Sequence, residues 1–272
     1  MSQPEKSAEK QPSARLDFKA AAKAILRDHP EIAGRTLFID SATHEKTGSL
    51  QAHVRGWLSA AFRKEAKKAE AGILRTKRID AVLFTAGSET PEEALFRLHR
   101  EAARLIIPRG KNLDRFFSAL FDIPYAAENA ASDAYAAIRH LRQGENCDLI
   151  ESIRRERAAE FLHTGEPAHL TSFVLDKVIF GGKAFTALKA DEVVEAVQKI
   201  VAAHTPSRAD SDALVSEFAP LKGKPLDEAG LKQLSEIAQA SKNPWVKELA
   251  EYLGVEVTAV PLPAQKQKPP QP

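Results

Sequence analysis

The chain has 272 residues, of which 43% are hydrophobic and 28% are charged, enough for a buried core in one large domain or two small ones. Its 39 basic and 37 acidic side chains leave a formal charge of +2, which argues against nucleic-acid and membrane-surface partners, because proteins that bind these usually carry a stronger, more clustered positive charge. The single cysteine, Cys147, excludes an internal disulfide framework and any multi-cysteine metal site.

The ends of the chain and its apolar runs indicate where in the cell the protein is expected. No apolar run approaches the roughly 20 residues that span a bilayer, so we expect no membrane partner. The N-terminal sequence is polar and lacks the apolar segment of an export signal, which indicates a cytoplasmic protein. Residues 1–14 and the proline-rich residues 256–272 are too polar to fold and are predicted to be disordered tails.

Helical periodicity dominates between the tails. The first elements predicted are a helix over 16–28, a strand over 36–39, a helix over 50–68 and a strand over 79–84. Only helices are predicted after that, over 91–107, 113–121, 126–142, 149–162, 168–180, 191–203, 210–218, 227–241 and 244–253. Two short strands among so many helices predict a mainly α fold, of the α+β type with a minor sheet.

Turn residues suggest how the chain is divided. The segment 204–207 interrupts the helical pattern and predicts a boundary there. We therefore expect a mainly helical domain over 15–204 and a small C-terminal helical region over 205–255. That region either forms its own unit or completes the main core. Gly181 and Gly182 are interpreted as the turn that ends a helix.

The helix beginning at Pro91 has the clearest signals. Thr90 can cap it, Pro91 suits its first position and Glu93 can complete a capping box. Its apolar residues form one stripe, and His99 falls beside that stripe. The pattern thus predicts a histidine that faces the interior of the protein.

The helix predicted over 126–142 carries two carboxylates, Glu128 and Asp133, among many alanines that let a neighbour approach closely. An inward histidine followed by a carboxylate on a later helix is half of a zinc-peptidase arrangement.

The stretch 89–108 resembles the active-site helix of zincin-type metallopeptidases, which reads H-E-x-x-H, and 128–133 is similar to the later helix of the glutamate zincins. The resemblance covers about residues 80–180 and implies a zincin-like helical core. It implies His99 as the first histidine ligand of zinc and Glu128 as the third ligand. Asp133 would be the acid that supports a ligand histidine, at a spacing one residue longer than the usual four.

The sequence departs from that motif at two positions. Arg100 stands where the family has its general-base glutamate, and Ala103 stands where it has the second histidine. Catalytic zinc needs three protein ligands and a water molecule, and a peptidase needs a base to deprotonate that water. The resemblance therefore implies a vestigial site with no catalytic residue and no bound cofactor. Such a protein would act by binding or regulating a protein partner that the sequence does not name.

Two other hypotheses stay open. The chain could be an α-helical interaction module without peptidase ancestry, in which His99 is a core histidine and Glu128 is an acid favoured by the helix dipole. It could also be an active zinc hydrolase that recruits ligands from His140, His163 or His169, provided that three such groups and a carboxylate base converge.

Overall fold

A computed structural model of the protein describes residues 15–40, 45–48, 71–75, 80–85, 87–107 and 124–256. The described residues of the N-terminal part form two helices and four strands, namely α1 (Phe18–Asp28), α2 (Pro30–Ala33), β1 (Thr36–Asp40), β2 (Glu45–Gly48), β3 (Ala71–Arg75) and β4 (Asp80–Phe84). Helices make up nearly all of the rest: α3 (Pro91–Ile106), α4 (Pro124–Leu141), α5 (Asp148–Thr164), α6 (Ser172–Thr186), α7 (Ala190–His204), α8 (Arg208–Glu217), α9 (Glu228–Ala240) and α10 (Pro244–Tyr252). The predicted mainly α fold is confirmed.

The strands form one mixed sheet in the order β2-β1-β4-β3. Its central pair, β1 and β4, is parallel and contains the two predicted strands, with Asp40 opposite Phe84. All five residues of each central strand are buried, as expected for apolar runs that are covered on both faces. The outer strands, β2 and β3, pair antiparallel with β1 and β4 and were not predicted.

Helix α4 is the centre of the helical part. It packs against α3, α6 and α7, and every residue from Ala130 to Leu141 is buried. Many of these residues are alanines, whose small side chains allow neighbouring helices to approach on several sides. The polar residues of this segment are therefore held inside the protein and need partners there.

The buried apolar residues in the described parts of the chain form two clusters. The first joins the sheet to α1, α3, α4 and α7, and the second lies among α8, α9 and α10. Helices α5 and α6 contribute to both, since Ile150 and Val174 lie in the first cluster and Phe161 and Phe173 in the second. The C-terminal helices thus share supporting helices with the main core, and the division at residue 205 stays a prediction.

Helix α6 is interrupted at the predicted glycine turn. Gly182 has non-helical backbone, with φ of 20° and ψ of −98°, and positive φ is accessible to glycine without a Cβ penalty. A second helical segment then continues to Thr186, beyond the predicted end at residue 180.

Several predictions lie outside the described residues: the helices over 50–68 and 113–121, the tail over 1–14 and, apart from residue 256, the proline-rich tail. Within the part of the chain that is described, no helix combines the length and apolarity needed to cross a membrane.

Candidate functional site

The candidate site lies where α3 and α4 face each other. Arg100 of α3 contacts Asp133 of α4, and Arg104, one turn later, contacts Asn129, one turn earlier. The two helices therefore run antiparallel. The two arginines are four residues apart on α3, and Asn129 and Asp133 are four residues apart on α4, so each set lies on one face of its helix.

Asp133 is the centre of this contact. Its side chain is fully buried and accepts hydrogen bonds from Arg100 Nε at 2.5 Å, Arg157 Nε at 3.2 Å and Thr171 Oγ1 at 2.7 Å. Burial alone would raise the pKa of this carboxyl, but the charges of the two arginines outweigh it and hold the pKa below its ordinary value. Asp133 is thus an ionised, fully paired carboxylate.

A second buried carboxylate lies beside the first. Glu101 is 3% exposed, and its oxygens lie 3.6 Å from Arg100 Nη1 and 3.4 Å from Arg104 Nη1. Arg104 Nη2 also donates to Asn129 Oδ1 at 2.9 Å, and the Asn129 amide donates to the carbonyl of Ala168 at 3.2 Å. We call Arg100, Glu101, Arg104, Asn129, Asp133 and Arg157 the guanidinium–carboxylate cluster.

His99 points away from this cluster. It is buried, as predicted, and its ring lies 6.3 Å from that of Tyr135. Its Nε2 lies 3.4 Å from the Gln143 amide nitrogen. Burial and the nearby Arg139 charge lower its pKa to about 3, so the imidazole is neutral at pH 7.

Tyr135 joins His99 to the N-terminal helices. The Tyr135 hydroxyl lies 2.7 Å from His29 Nε2, while His29 Nδ1 lies 3.0 Å from a Glu31 oxygen. A carboxylate accepts, so the neutral His29 carries its proton on Nδ1 and Tyr135 donates to Nε2. Burial lowers the pKa of His29 and raises that of Tyr135, which keeps this hydrogen bond between neutral groups.

Glu128 and His99 lie at different positions along the axis of the α3–α4 helix pair. It immediately precedes Asn129, the partner of Arg104, whereas His99 contacts Tyr135, seven residues further along α4. Seven helical residues span about 10 Å. The structure therefore brings Asp133 to the face of α3 that carries Arg100, and it places His99 and Glu128 apart along the helix.

The other candidate histidines have separate surroundings. His140 Nε2 lies 3.2 Å from the carbonyl of Asn146, His163 Nδ1 lies 3.5 Å from that of Lys224, and His169 Nδ1 lies 3.0 Å from a Glu160 oxygen. In the described parts of the chain, no three His, Cys, Asp or Glu side chains are grouped so that they could hold a metal ion.

The pairing of Arg100 with Asp133 was not foreseen from the sequence. A signal for it exists, because two arginines four residues apart on one helix match an Asn and an Asp four residues apart on the next. A charged side chain that is buried between packed helices needs a partner of opposite charge. Seeing the match requires knowing that these two helices are neighbours.

Comparison with known proteins adds no relative. The chain matches no protein-family model, no curated protein and no solved structure.

Proposed function

We propose that this protein is a non-catalytic relative of the zincin-type metallopeptidases, and that it acts by binding or regulation rather than hydrolysis. The observation that carries the proposal is the guanidinium–carboxylate cluster, which occupies the interface of α3 and α4. In the family that the sequence resembles, the corresponding helices hold the zinc.

The contacts support a motif that begins one residue later than His99. Read from Arg100, the segment is Arg-Glu-Ala-Ala-Arg, so that Arg100 and Arg104 take the two histidine positions of H-E-x-x-H and Glu101 keeps the glutamate. On α4, Asn129 then takes the position of the third ligand, and Asp133 follows it at the usual spacing of four. This alignment uses the four residues that contact one another across the two helices.

Charge explains how such a site could lose its metal and keep its fold. A divalent cation between two helices compensates buried carboxylates. Here the guanidinium groups of Arg100 and Arg104 supply two positive charges next to Glu101 and Asp133. An arginine stays protonated in proteins and has no lone pair to offer a metal ion, so the cluster has structural value without metal ligands at the two histidine positions.

The test is to restore the motif in the full chain. The triple variant Arg100→His/Arg104→His/Asn129→Glu should retain about one zinc per chain after dialysis, measured by elemental analysis. The wild type should retain none and should not cleave casein. Two controls should also stay free of zinc: the triple variant with glutamine at all three positions, and Arg100→Glu/Ala103→His, which builds the motif from His99 instead.

The results separate the hypotheses. A folded triple variant that binds no zinc would remove the peptidase ancestry and leave the helical interaction module. Zinc bound to the wild type and lost in His99→Gln would instead support an active metal site. Zinc bound only by the Arg100→Glu/Ala103→His variant would restore the alignment that begins at His99.

A further inference from the structure

A second group of buried polar side chains has donors without acceptors. Arg139 is 7% exposed, and its Nη2 donates to Asp28 Oδ2 at 2.7 Å. Its Nε and Nη1 are buried and have no hydrogen-bond partner, and the same holds for Arg142 Nε and His99 Nδ1. Buried N–H groups of this kind are normally paired, so the shortage of acceptors calls for an explanation.

The state of His99 follows from its neighbour. The Gln143 amide nitrogen is a donor, so His99 Nε2 accepts from it. A neutral imidazole with an accepting Nε2 carries its proton on Nδ1. The unpaired Nδ1 is therefore a fourth donor-bearing atom, and the buried atoms left over by Arg139, Arg142 and His99 are all donors.

These side chains occupy one region. Arg139, Arg142 and Gln143 are three and four residues apart and so share a face of α4 and the turn after it. Gln143 contacts His99 of α3, and Arg139 contacts Asp28 at the end of α1. The region is thus the junction of α1, α3 and the C-terminal end of α4.

Two guanidinium groups lie in this region. Arg139 forms its ion pair with Asp28 through Nη2 alone, and no acidic partner of Arg142 is found among the described residues. Guanidinium groups with buried, free N–H groups are the chemistry that recognises an oxyanion.

We propose that this junction binds a small oxyanion, a carboxylate or an inorganic phosphate or sulfate, through the N–H groups of Arg139 with Arg142 and His99. We call Arg139, Arg142 and His99 the donor cluster. This proposal is independent of the proposed function, since it uses none of the residues of the guanidinium–carboxylate cluster.

The test measures ligand-dependent stability and binding in the full chain. Sodium acetate, phosphate and sulfate are titrated at pH 7.5 and constant ionic strength, with chloride as the balancing salt, and the thermal midpoint and the heat of binding are recorded. At least one oxyanion should give a saturable rise in the midpoint, because a ligand that binds only the folded state stabilises it.

Variants assign the effect to the donor cluster. Arg139→Gln should weaken the binding at least about tenfold, as expected when a charge-assisted hydrogen bond is lost. Arg155→Gln, which removes an equal charge from an exposed position on α5, should leave it unchanged. Asp28→Asn should tighten it, because the Nη2 of Arg139 is released. That last result would not follow if the arginine were only structural.

Two results would overturn the proposal. One is the absence of a saturable response in the wild type for all three oxyanions, which would mean that water satisfies these donors. The other is an equal response in the wild type and in Arg139→Gln. If Arg139→Gln does not fold, the wild-type calorimetry and Arg142→Gln decide the matter in the same way.

Discussion

Asp133 shows at the scale of a single residue how strongly this fold depends on paired charges. Its carboxylate is fully buried and holds two arginines and a threonine from three separate segments. Removing one partner from a buried ion pair leaves an uncompensated charge, and that cost exceeds the net value of the intact pair.

We therefore expect Asp133→Asn to lower the free energy of unfolding by about 3–5 kcal/mol. Urea unfolding followed by circular dichroism measures the loss. Asp212→Asn, at an exposed position in α8, is the matched control and should change stability by less than about 0.5 kcal/mol. Similar small losses in both variants would contradict the role given to Asp133.

The buried histidines make stability depend on pH. The pKa of His99 falls from 6.5 to about 3 on folding. Between these pH values, His99 is therefore protonated in the unfolded chain and neutral in the folded chain. The contribution of the neutral His99 to the free energy of unfolding is fully present above pH 6.5. It is lost as the pH falls towards 3, at up to about 1.4 kcal/mol per pH unit.

We expect His99→Gln to flatten the decline of unfolding free energy between pH 6.5 and 4.5. The variant keeps a residual slope because the pKa values of His29 and His204 are also lowered. Asp133 and Asp28 contribute only at lower pH, since their pKa values lie below 3.8. His163→Gln, at an exposed position, serves as control. An unchanged slope in His99→Gln would show that His99 titrates freely.

Single elements show which parts of the fold the sequence predicts. The helix at Pro91 was predicted with its cap, because local signals decide a helix start. In the structure, Thr90 Oγ1 accepts from the Glu93 amide at 3.2 Å, and the Glu93 carboxylate accepts from the Thr90 amide at 2.7 Å. Both contacts lie within four residues and need no tertiary information.

The cap gives a prediction at this scale. Thr90→Ala should destabilise the protein by about 1 kcal/mol, within a range of roughly 0.5–2 kcal/mol, because the hydroxyl acceptor of the capping box is lost. Thr90→Ser keeps the hydroxyl and should stay close to the wild type. Chemical unfolding of both variants measures the difference, and equal losses would assign the effect to the threonine methyl group instead.

Other features were not accessible from the sequence because they depend on distant pairing. The segments that form β2 and β3, Glu-Lys-Thr-Gly and Ala-Gly-Ile-Leu-Arg, lack the alternation of a strand and take their conformation from their central neighbours. In the candidate site, the burial of His99 follows from helical periodicity. The pairing of Arg100 with Asp133 follows from the antiparallel contact of two helices, which periodicity does not report.

At the scale of the whole molecule, the described residues form two apolar clusters that share α5 and α6. Helices that contribute to both clusters couple them, since unfolding one cluster removes the support of the other. Trp245 packs edge-on against Phe173 in the second cluster, with ring centroids 4.7 Å apart. Its fluorescence therefore reports on the C-terminal helices, whereas far-ultraviolet circular dichroism reports on all helices.

Coupling predicts one transition rather than two. The chain has two tryptophans, and replacing Trp57 by Phe leaves Trp245 as the source of fluorescence. In that background, the fluorescence and dichroism curves should coincide, which is the mark of two-state unfolding. Leu249→Ala, at a fully buried position in the second cluster, should shift both curves together by about 2–5 kcal/mol. A shift of the fluorescence curve alone would establish residues 205–255 as a separate domain.

The link between the α1–α2 turn and α4 has a consequence for synthesis of the chain. His29 contacts Tyr135 across 106 residues of sequence, and β4, the parallel partner of β1, begins only at Asp80. At about 5–20 residues per second, the ribosome takes on the order of 10 s to add those residues. During that interval His29 and the turn that carries it have been made but Tyr135 has not, so nascent chains of intermediate length should be the forms most readily bound by chaperones.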